Sequence, residues 1–310
     1  MGSDLRLGVA GVPGSWSTEQ LGTALRSLGA ATAVFDLRDC VFDLTAGAVT
    51  LDGWDLRELD GLVVKKLGTQ GEGTASSRLR VLQQLEYQGV RVFSPVAAIA
   101  QVLDRYRMTQ RLAQAGLPLP RTIVAEHIDA AAECVLEWGQ AVVKPIVTSK
   151  GRGMVLLARE GTVRLQLRRW AREWGGPFYL QEYVPGPGRD IGVALLGGRV
   201  LGAYYRVARP GAWLTTTAAE GRYEPCECTP DIERLAIAAA GVFPLDYTVV
   251  DLVESSTGYL IYEVSAFGGF AGLWQTRGID AARLYAEYVV QALCAAHDRT
   301  RPDPEPIPVD

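Results

Sequence analysis

Asp251 and Glu263 lie in two β-rich runs separated by Ser256-Thr257-Gly258. Glycine at the third position suits a three-residue hairpin loop that needs a left-handed residue. That register pairs Ser255 with Tyr259, and therefore Asp251 with Glu263. Directly opposed residues hold their Cβ atoms roughly 4.5–5.5 Å apart, so two carboxylates there repel each other. The flanking Val249, Val250, Leu252, Ile261 and Val264 restrict access of water. Two arrangements resolve the conflict with equal weight: a divalent cation between the acids, or neutralisation of both by neighbouring Arg or Lys. Ser265, two residues beyond Glu263, falls on the same strand face and completes the candidate metal set of Asp251, Glu263 and Ser265.

A second group is Ser149-Lys150-Gly151-Arg152-Gly153, between two strands and just after Lys144. Glycines let backbone N–H groups approach phosphate oxygens, and the cations offset phosphate charge. The spacing is neither that of a P-loop nor that of a dinucleotide fingerprint. A plain glycine turn explains the same residues. A third group is the strand Gln181-Glu182-Tyr183-Val184, which stops at Pro185-Gly186. Backbone groups left unpaired at such a stop can bind the edge of an adenine, and Asp190 downstream can accept a ribose hydroxyl. An edge strand entering a hairpin is the simpler account.

The elements that must position these groups follow from apolar spacing. Residues 5–12, 33–36, 61–65 and 90–93 read as buried strands alternating with helices, which implies a mostly parallel sheet. Ser17, with Gln20 three residues on, is the expected cap of the first helix. Ligands in such a sheet bind at the carboxyl ends of the strands, here Val12-Pro13-Gly14 and Lys66-Leu67-Gly68. A helix is expected from about Ala97 to Ala115, then strands near 122–125 and 141–144 around a helix near 130–138. Val163, Leu167, Trp170 and Trp174 recur at helical spacing and read as core. The remainder is strand-rich: 178–184, 190–196, 199–207, 247–253 and 259–264, with helices around Ile232–Ala239 and Ala281–Leu293. The division expected is 1–94, an α/β domain; 95–178, a central lobe; 179–298, a C-terminal lobe carrying the acidic hairpin; and 299–310, a proline-rich disordered tail.

Composition narrows the classes. A length of 310 residues allows two or three packed units, since single cores rarely grow far beyond ~250 residues. A net charge of −4 without a dense basic block argues against nucleic acid as a partner. No apolar run reaches the ~18 residues of a membrane helix, and the start lacks a signal-peptide stretch, so a cytoplasmic protein without membrane association is expected. Five cysteines, with only Cys226 and Cys228 close in sequence, suggest reduced thiols rather than a zinc site or disulfide framework. The two histidines, His127 and His297, have no partner placed by sequence and read as surface residues.

Taken in order, Lys144, the glycine loop, Gln181-Glu182-Tyr183-Val184, Asp190, Asp251 and Glu263 resemble the ATP-grasp ligases, and among them the RimK-like amino-acid ligases. The likeness runs from about Leu5 to His297. It implies an α/β and α+β ATP-grasp fold: a small parallel N-terminal domain followed by two α+β lobes that clamp ATP. It also implies one or two magnesium ions, with manganese as a substitute, on the paired acids. In that family the first lysine contacts the phosphates, the glycine loop (Ser149, Lys150, Gly151 and Gly153) covers them, and the hinge strand reads adenine. The activity implied is activation of a carboxylate as an acyl phosphate and its joining to an amine, with ADP and phosphate released. Lys144 and Arg105 would steady phosphate charge, and Arg206 would pair with the substrate carboxylate. Partners would be a small-molecule carboxylate and amine, or a peptide or carrier protein, and a homodimer is common among similar enzymes. The first-domain loops Gly11–Ser17 and Lys65–Gly68 would receive the acceptor, with Lys66 suited to an acidic one.

The chain departs from the family pattern in three places. Arg105 stands where an Asp-Lys segment is usual, Ser265 stands where Asn is usual, and basic and amide residues are missing near Leu214–Thr217. Two alternatives therefore stand beside the ligase: a phosphotransferase on the same scaffold, and a catalytically weak nucleotide-binding protein.

Overall fold

The computed structural model describes residues 5–68, 74–148, 151–215 and 220–300. Residues up to Phe93, together with those from Asp280 onward, make one compact unit; Ser94–Ile279 make the other.

The first unit begins with β1 (Arg6–Ala10), α1 (Trp16–Ser27) and β2 (Ala31–Phe35). Three short strands follow, β3 (Val41–Asp43), β4 (Ala48–Leu51) and β5 (Trp54–Asp55), forming an antiparallel sheet that hydrophobic spacing does not reveal. Then come β6 (Gly61–Val64), α2 (Thr74–Tyr87) and β7 (Arg91–Phe93). Strands β2, β1, β6 and β7 lie in that order and all pair in parallel, as expected. Leu7, Val9, Leu62 and Val63 are fully buried, the pattern of parallel strands covered on both faces. The strand order reverses between β1 and β6, so the loops after Ala10 and Val64 leave from the switch point, where such sheets bind ligands. Helix α1 starts at Trp16, with Ser15 at the cap position, two residues earlier than a Ser17 cap requires. Its end is held instead by Glu19, whose Oε1 accepts from the Gly14 amide at 2.8 Å.

Lys65 at the end of β6 is only 4% exposed. Burial, with Lys66 beside it, pushes its ammonium down to about 7. A depressed lysine pKa favours the unfolded chain wherever that chain holds the proton and the folded one does not. The associated stability is present above about 10.5 and is lost as pH falls toward 7. Lys65→Met is therefore expected to raise the thermal midpoint at pH 7, with the gain shrinking as pH approaches 10. Melts of both proteins across that range check the sign.

The second unit opens with α3 (Val96–Leu103) and α4 (Arg105–Gln114). The single helix expected over 97–115 is broken at Asp104, whose extended backbone and carboxylate cap α4 by accepting from the Arg107 amide. Its first sheet contains β8 (Thr122–Ala125), then α5 (Ile128–Trp138), β9 (Gln140–Lys144), β10 (Val155–Ala158), α6 (Val163–Trp174) and β11 (Phe178–Glu182), with antiparallel order β10-β9-β11-β8. Val163, Leu167 and Trp170 pack with Val135, Val143, Phe178 and Leu180, and Trp174 lies at the edge of this core, as their spacing predicts.

The second sheet contains β12 (Arg189–Leu196), β13 (Arg199–Val207), β14 (Arg222–Cys226), α7 (Pro230–Gly241), β15 (Tyr247–Ser255) and β16 (Gly258–Ser265), in the order β14-β13-β12-β15-β16. Helix α8 (Ala271–Arg277) packs on β13 and β14. The last helix, α9 (Ala281–Thr300), covers the end of the segment expected as a C-terminal lobe, 179–298, and the first two residues of the expected tail. Ala281, Ala282, Tyr285, Ala286, Val289 and Leu293 form its buried stripe, which lies on α1, so the helix belongs with the N-terminal unit. Sequence adjacency suggested the C-terminal lobe; complementary packing decided otherwise. Residues 301–310 of the expected tail lie outside the described residues.

Candidate functional site

The hairpin of β15 and β16 brings Asp251 opposite Glu263, by a different route from the one expected. Its turn has two residues, pairing Ser255 with Gly258, which shifts the register by one. A bulge then restores it: Leu252 pairs with Ile261 while Asp251 pairs with Glu263, leaving Tyr262 as the extra residue. Val249 pairs with Ser265, so strand alternation keeps Ser265 on the face of Glu263.

Both proposed resolutions of the acid pair have a physical basis here. Arg206, on β13, places Nη2 at 2.9 Å from Asp251 Oδ1 and donates through Nε to Asp190 Oδ1 at 2.6 Å. Arg105 Nη2 is 3.7 Å from Glu263 Oε2, an ion pair beyond hydrogen-bond range. Yet Asp251 Oδ1 is buried and, with Arg206 Nη2 at 2.9 Å, has no donor in hydrogen-bond geometry. Burial pushes the Asp251 carboxyl up to about 7; Arg206 opposes the rise, while Asp190 and Glu263 reinforce it. A buried carboxylate oxygen with no hydrogen bond, a second half-exposed carboxylate and a hydroxyl form a hard-oxygen set that fits magnesium, which keeps several water or phosphate ligands of its own. No group of three or more His, Cys, Asp or Glu able to hold a metal occurs among the described residues, so protein ligands would occupy only part of its shell.

Two expected site residues carry internal ion pairs in this structure. Asp190, the expected ribose acceptor, is 8% exposed and committed to Arg206 and to the hydroxyl of Thr215. Arg206, expected to meet a substrate carboxylate, lies between Asp190 and Asp251. It is the internal counter-charge of two acids that low-dielectric surroundings would otherwise penalise.

Lys144, at the end of β9, donates from Nζ to Gln181 Oε1 at 2.5 Å and sits 5.3 Å from the centre of the Tyr262 ring. Burial and the positive charge of Arg105 push Lys144 down to about 7, while Glu263 and Asp251 pull it back up. The lysine therefore feels the charge of both acids of the hairpin. Arg105, expected at the phosphates, is 4% exposed and donates from Nη1 to Pro145 O at 2.7 Å and from Nη2 to Thr148 O at 2.8 Å. Its hydrogen bonds go to the strand exit rather than outward.

Ser149 and Lys150 lie outside the described residues. Gly151 and Gly153 both take left-handed backbone, with φ of 73° and 71°. A Cβ on Gly153 would lie 2.6 Å from Pro145 and 2.7 Å from the Trp174 ring, and its carbonyl accepts from Trp170 Nε1 at 2.7 Å. This half of the loop is thus a turn packed on α6, and the glycine is required by that packing.

Strand β11 pairs with β9 on one side and β8 on the other, so it is interior rather than the edge strand considered above. The amides of Glu182 and Tyr183 are spent on Arg121 O and Gln140 O, at 2.8 and 3.2 Å. The Glu182 carboxylate is clasped by Arg121 through Nε at 2.8 Å and Nη2 at 3.0 Å. Gln181 is 2% exposed, shared between Lys144 and Thr122. The Val184 amide lies against the Tyr262 hydroxyl. The backbone donors of Glu182 and Tyr183 are thus already paired within the protein.

Tyr262, Thr148 and Thr215 were not signalled by the sequence. Tyr262 directly precedes Glu263, and a bulged register would have turned attention to it. Nothing local marks either threonine.

The RimK-like ATP-grasp domain family matches residues 102–289 of this chain. The chain is 27% identical to the tetrahydromethanopterin:alpha-L-glutamate ligase of Methanosarcina acetivorans, over 91% of its own length and 97% of that protein. Among solved structures, the D-cycloserine synthetase DcsG superposes with a TM-score of 0.74 at 20% identity, covering 93% of this chain and 99% of the other. The ATP-grasp ligase PsnB, complexed with a phosphomimetic variant of minimal precursor, Mg and ADP, superposes with a TM-score of 0.68 at 20% identity, covering 94% and 99%. These structural likenesses speak to the fold. Among the described residues, no helix is long and apolar enough to cross a membrane.

Proposed function

Since the chain belongs to the RimK-like ATP-grasp family, we propose that it is an ATP-dependent ligase that joins a carboxylate to an amine with an amino acid as one substrate. The observation that carries this reading is the opposition of Asp251 and Glu263 on one hairpin, with Lys144 held beside it by Gln181 and against the Tyr262 ring. A substrate carboxylate oxygen attacks the γ-phosphorus of ATP as the bond to ADP breaks. The amine nitrogen then attacks the acyl carbon, and phosphate leaves with the former carboxylate oxygen. Such chemistry needs positioning and charge balance rather than an enzyme nucleophile, which suits a chain with only two histidines.

Asp251 and Glu263, with Ser265, would hold magnesium, which when bound neutralises phosphate charge. Manganese, another hard divalent ion, would fit the same oxygens. Lys144 meets the phosphates, and their charge restores the proton that burial disfavours. Gly151 and Gly153 belong to the loop beside those phosphates. Arg206 keeps Asp190 and Asp251 apart electrostatically and turns to the substrate carboxylate only if the ion takes its place at Asp251. The amino acid proposed is glutamate, supported by the name of the Methanosarcina acetivorans relative. The acceptor is proposed to be a small molecule or a peptide.

The test is ATP consumption with glutamate and a panel of other amino acids and amines, with magnesium present or chelated. The expected result is ADP and free phosphate only when acid, amine and magnesium are all present. A phosphorylated product without free phosphate would establish the phosphotransferase instead. Tight nucleotide binding with no turnover under any pairing would establish a binding protein.

A further inference from the structure

Arg105 stands at the first position of α4, set by the Asp104 cap. It is 4% exposed, and its fork meets several acceptors at once. Nη1 donates to Pro145 O at 2.7 Å and to Thr148 Oγ1 at 3.1 Å; Nη2 donates to Thr148 O at 2.8 Å. The backbone amide of the same residue donates to Ile146 O at 3.1 Å. The Thr148 hydroxyl in turn donates a hydrogen bond to Arg152 O at 3.1 Å, across the base of the glycine loop. On its other side the guanidinium faces Glu263 Oε2 at 3.7 Å.

This spends three of the four terminal N–H groups on the segment between β9 and the loop, and the carboxylate lies beside the same nitrogen that binds Thr148 O. A lysine ammonium is one point on a flexible stem and cannot hold a carbonyl, a hydroxyl and a second carbonyl in this geometry while facing a carboxylate. We propose that Arg105 is a positioning residue, whose guanidinium ties the segment Pro145–Thr148 to Glu263 and so fixes the root of the glycine loop relative to the acidic hairpin. The inference rests on the ligase reading for its effect on ATP, but not for its effect on the segment itself. It separates two jobs a cation can do at this position: a point charge toward phosphate, which lysine performs equally well, and a multi-point strut, which it does not.

Arg105→Lys and Arg105→Met distinguish them. For a strut, both variants raise the KM for ATP by about 10- to 100-fold, the usual cost of removing an outer partner of a ligating group, while kcat changes less. Hydrogen exchange in peptides covering 141–148 rises in both, measured on ligand-free protein so that it does not depend on turnover. A lysine variant with wild-type KM and wild-type exchange overturns the proposal and assigns the residue to phosphate charge. Should both variants fail to fold, Thr148→Val decides. Losing the two hydrogen bonds of this hydroxyl, from Arg105 and to Arg152 O, is expected to raise the KM for ATP about 2- to 10-fold and to speed exchange in the same peptides. Wild-type values for both would overturn the proposal. If the wild-type protein turns over no ATP, the ligase reading fails while the exchange comparison still judges the strut.

Discussion

Glu263→Gln is expected to lower magnesium-dependent turnover by about a thousandfold or more, which corresponds to about 4 kcal/mol of transition-state stabilisation. The substitution keeps the volume of the side chain and one carbonyl oxygen but removes the negative charge. Glu263 is half-exposed, with its side chain 32% accessible, and its only ion pair among the described residues is the 3.7 Å approach of Arg105. The pair is long, and the buried guanidinium keeps its three hydrogen bonds to Pro145 and Thr148, so the fold should survive with a modest change in thermal midpoint. The Arg105 bonds to Pro145 and Thr148 do not involve the carboxylate and should persist. Manganese binding to the variant, followed by its electron-spin signal, is expected to weaken by about 10- to 100-fold at least, as for loss of groups that support a metal. Undiminished magnesium-dependent turnover would remove Glu263 from the site and leave the opposed acids as a structural pair neutralised by arginines.

The second large effect is expected at Lys144. Lys144→Met retains a stem able to lie against Tyr262 but deletes the ammonium whose charge both hairpin acids support. Removing one fixed charge-stabilising donor from an active site costs about 100- to 1,000-fold in rate, and a loss of that order is expected in kcat/KM for ATP. The wild-type pH profile carries a sharper signature. Because burial and Arg105 hold the Lys144 pKa near about 7 in the ligand-free protein, the ammonium is charged below that pH and increasingly neutral above it. Phosphate binding must then restore the proton, so the KM for ATP should rise from pH 7 to 9 in the wild type and stay flat in the methionine variant. A methionine variant with wild-type kcat/KM, or one with the same pH slope as the wild type, would show that another cation serves the phosphates. Gln181 would lose the donor to its Oε1 but keep its bond to Thr122, which limits the structural penalty.

Much of the frame was legible from residue order. The apolar runs ending at Ala10, Phe35, Val64 and Phe93 specify buried parallel strands, because no other element hides so continuous a stretch on both faces. The spacing of Val163, Leu167 and Trp170 assigned one helix face to a core, where it lies. The opposition of Asp251 and Glu263 was also legible, although a three-residue loop was the wrong route to it. The actual loop is one residue shorter and the bulge at Tyr262 one residue longer, and the two offsets cancel. Turn chemistry is local and readable at Gly258, whereas a bulge depends on how β16 must bend within its sheet.

What residue order alone determined was periodicity and kind: which segments bury a face, where the backbone turns, and which side chains carry charge. These properties arise from neighbours a few positions apart. Tertiary structure alone decided what each charge spends itself on. Arg206 finds Asp190 across 16 positions and Arg105 finds Thr148 across 43, and α9 leaves the segment that precedes it to lie on α1. A guanidinium carries the same donors wherever it stands. Only the folded chain, by excluding water and bringing distant carbonyls and carboxylates within reach, determines whether those donors serve a ligand or the protein itself.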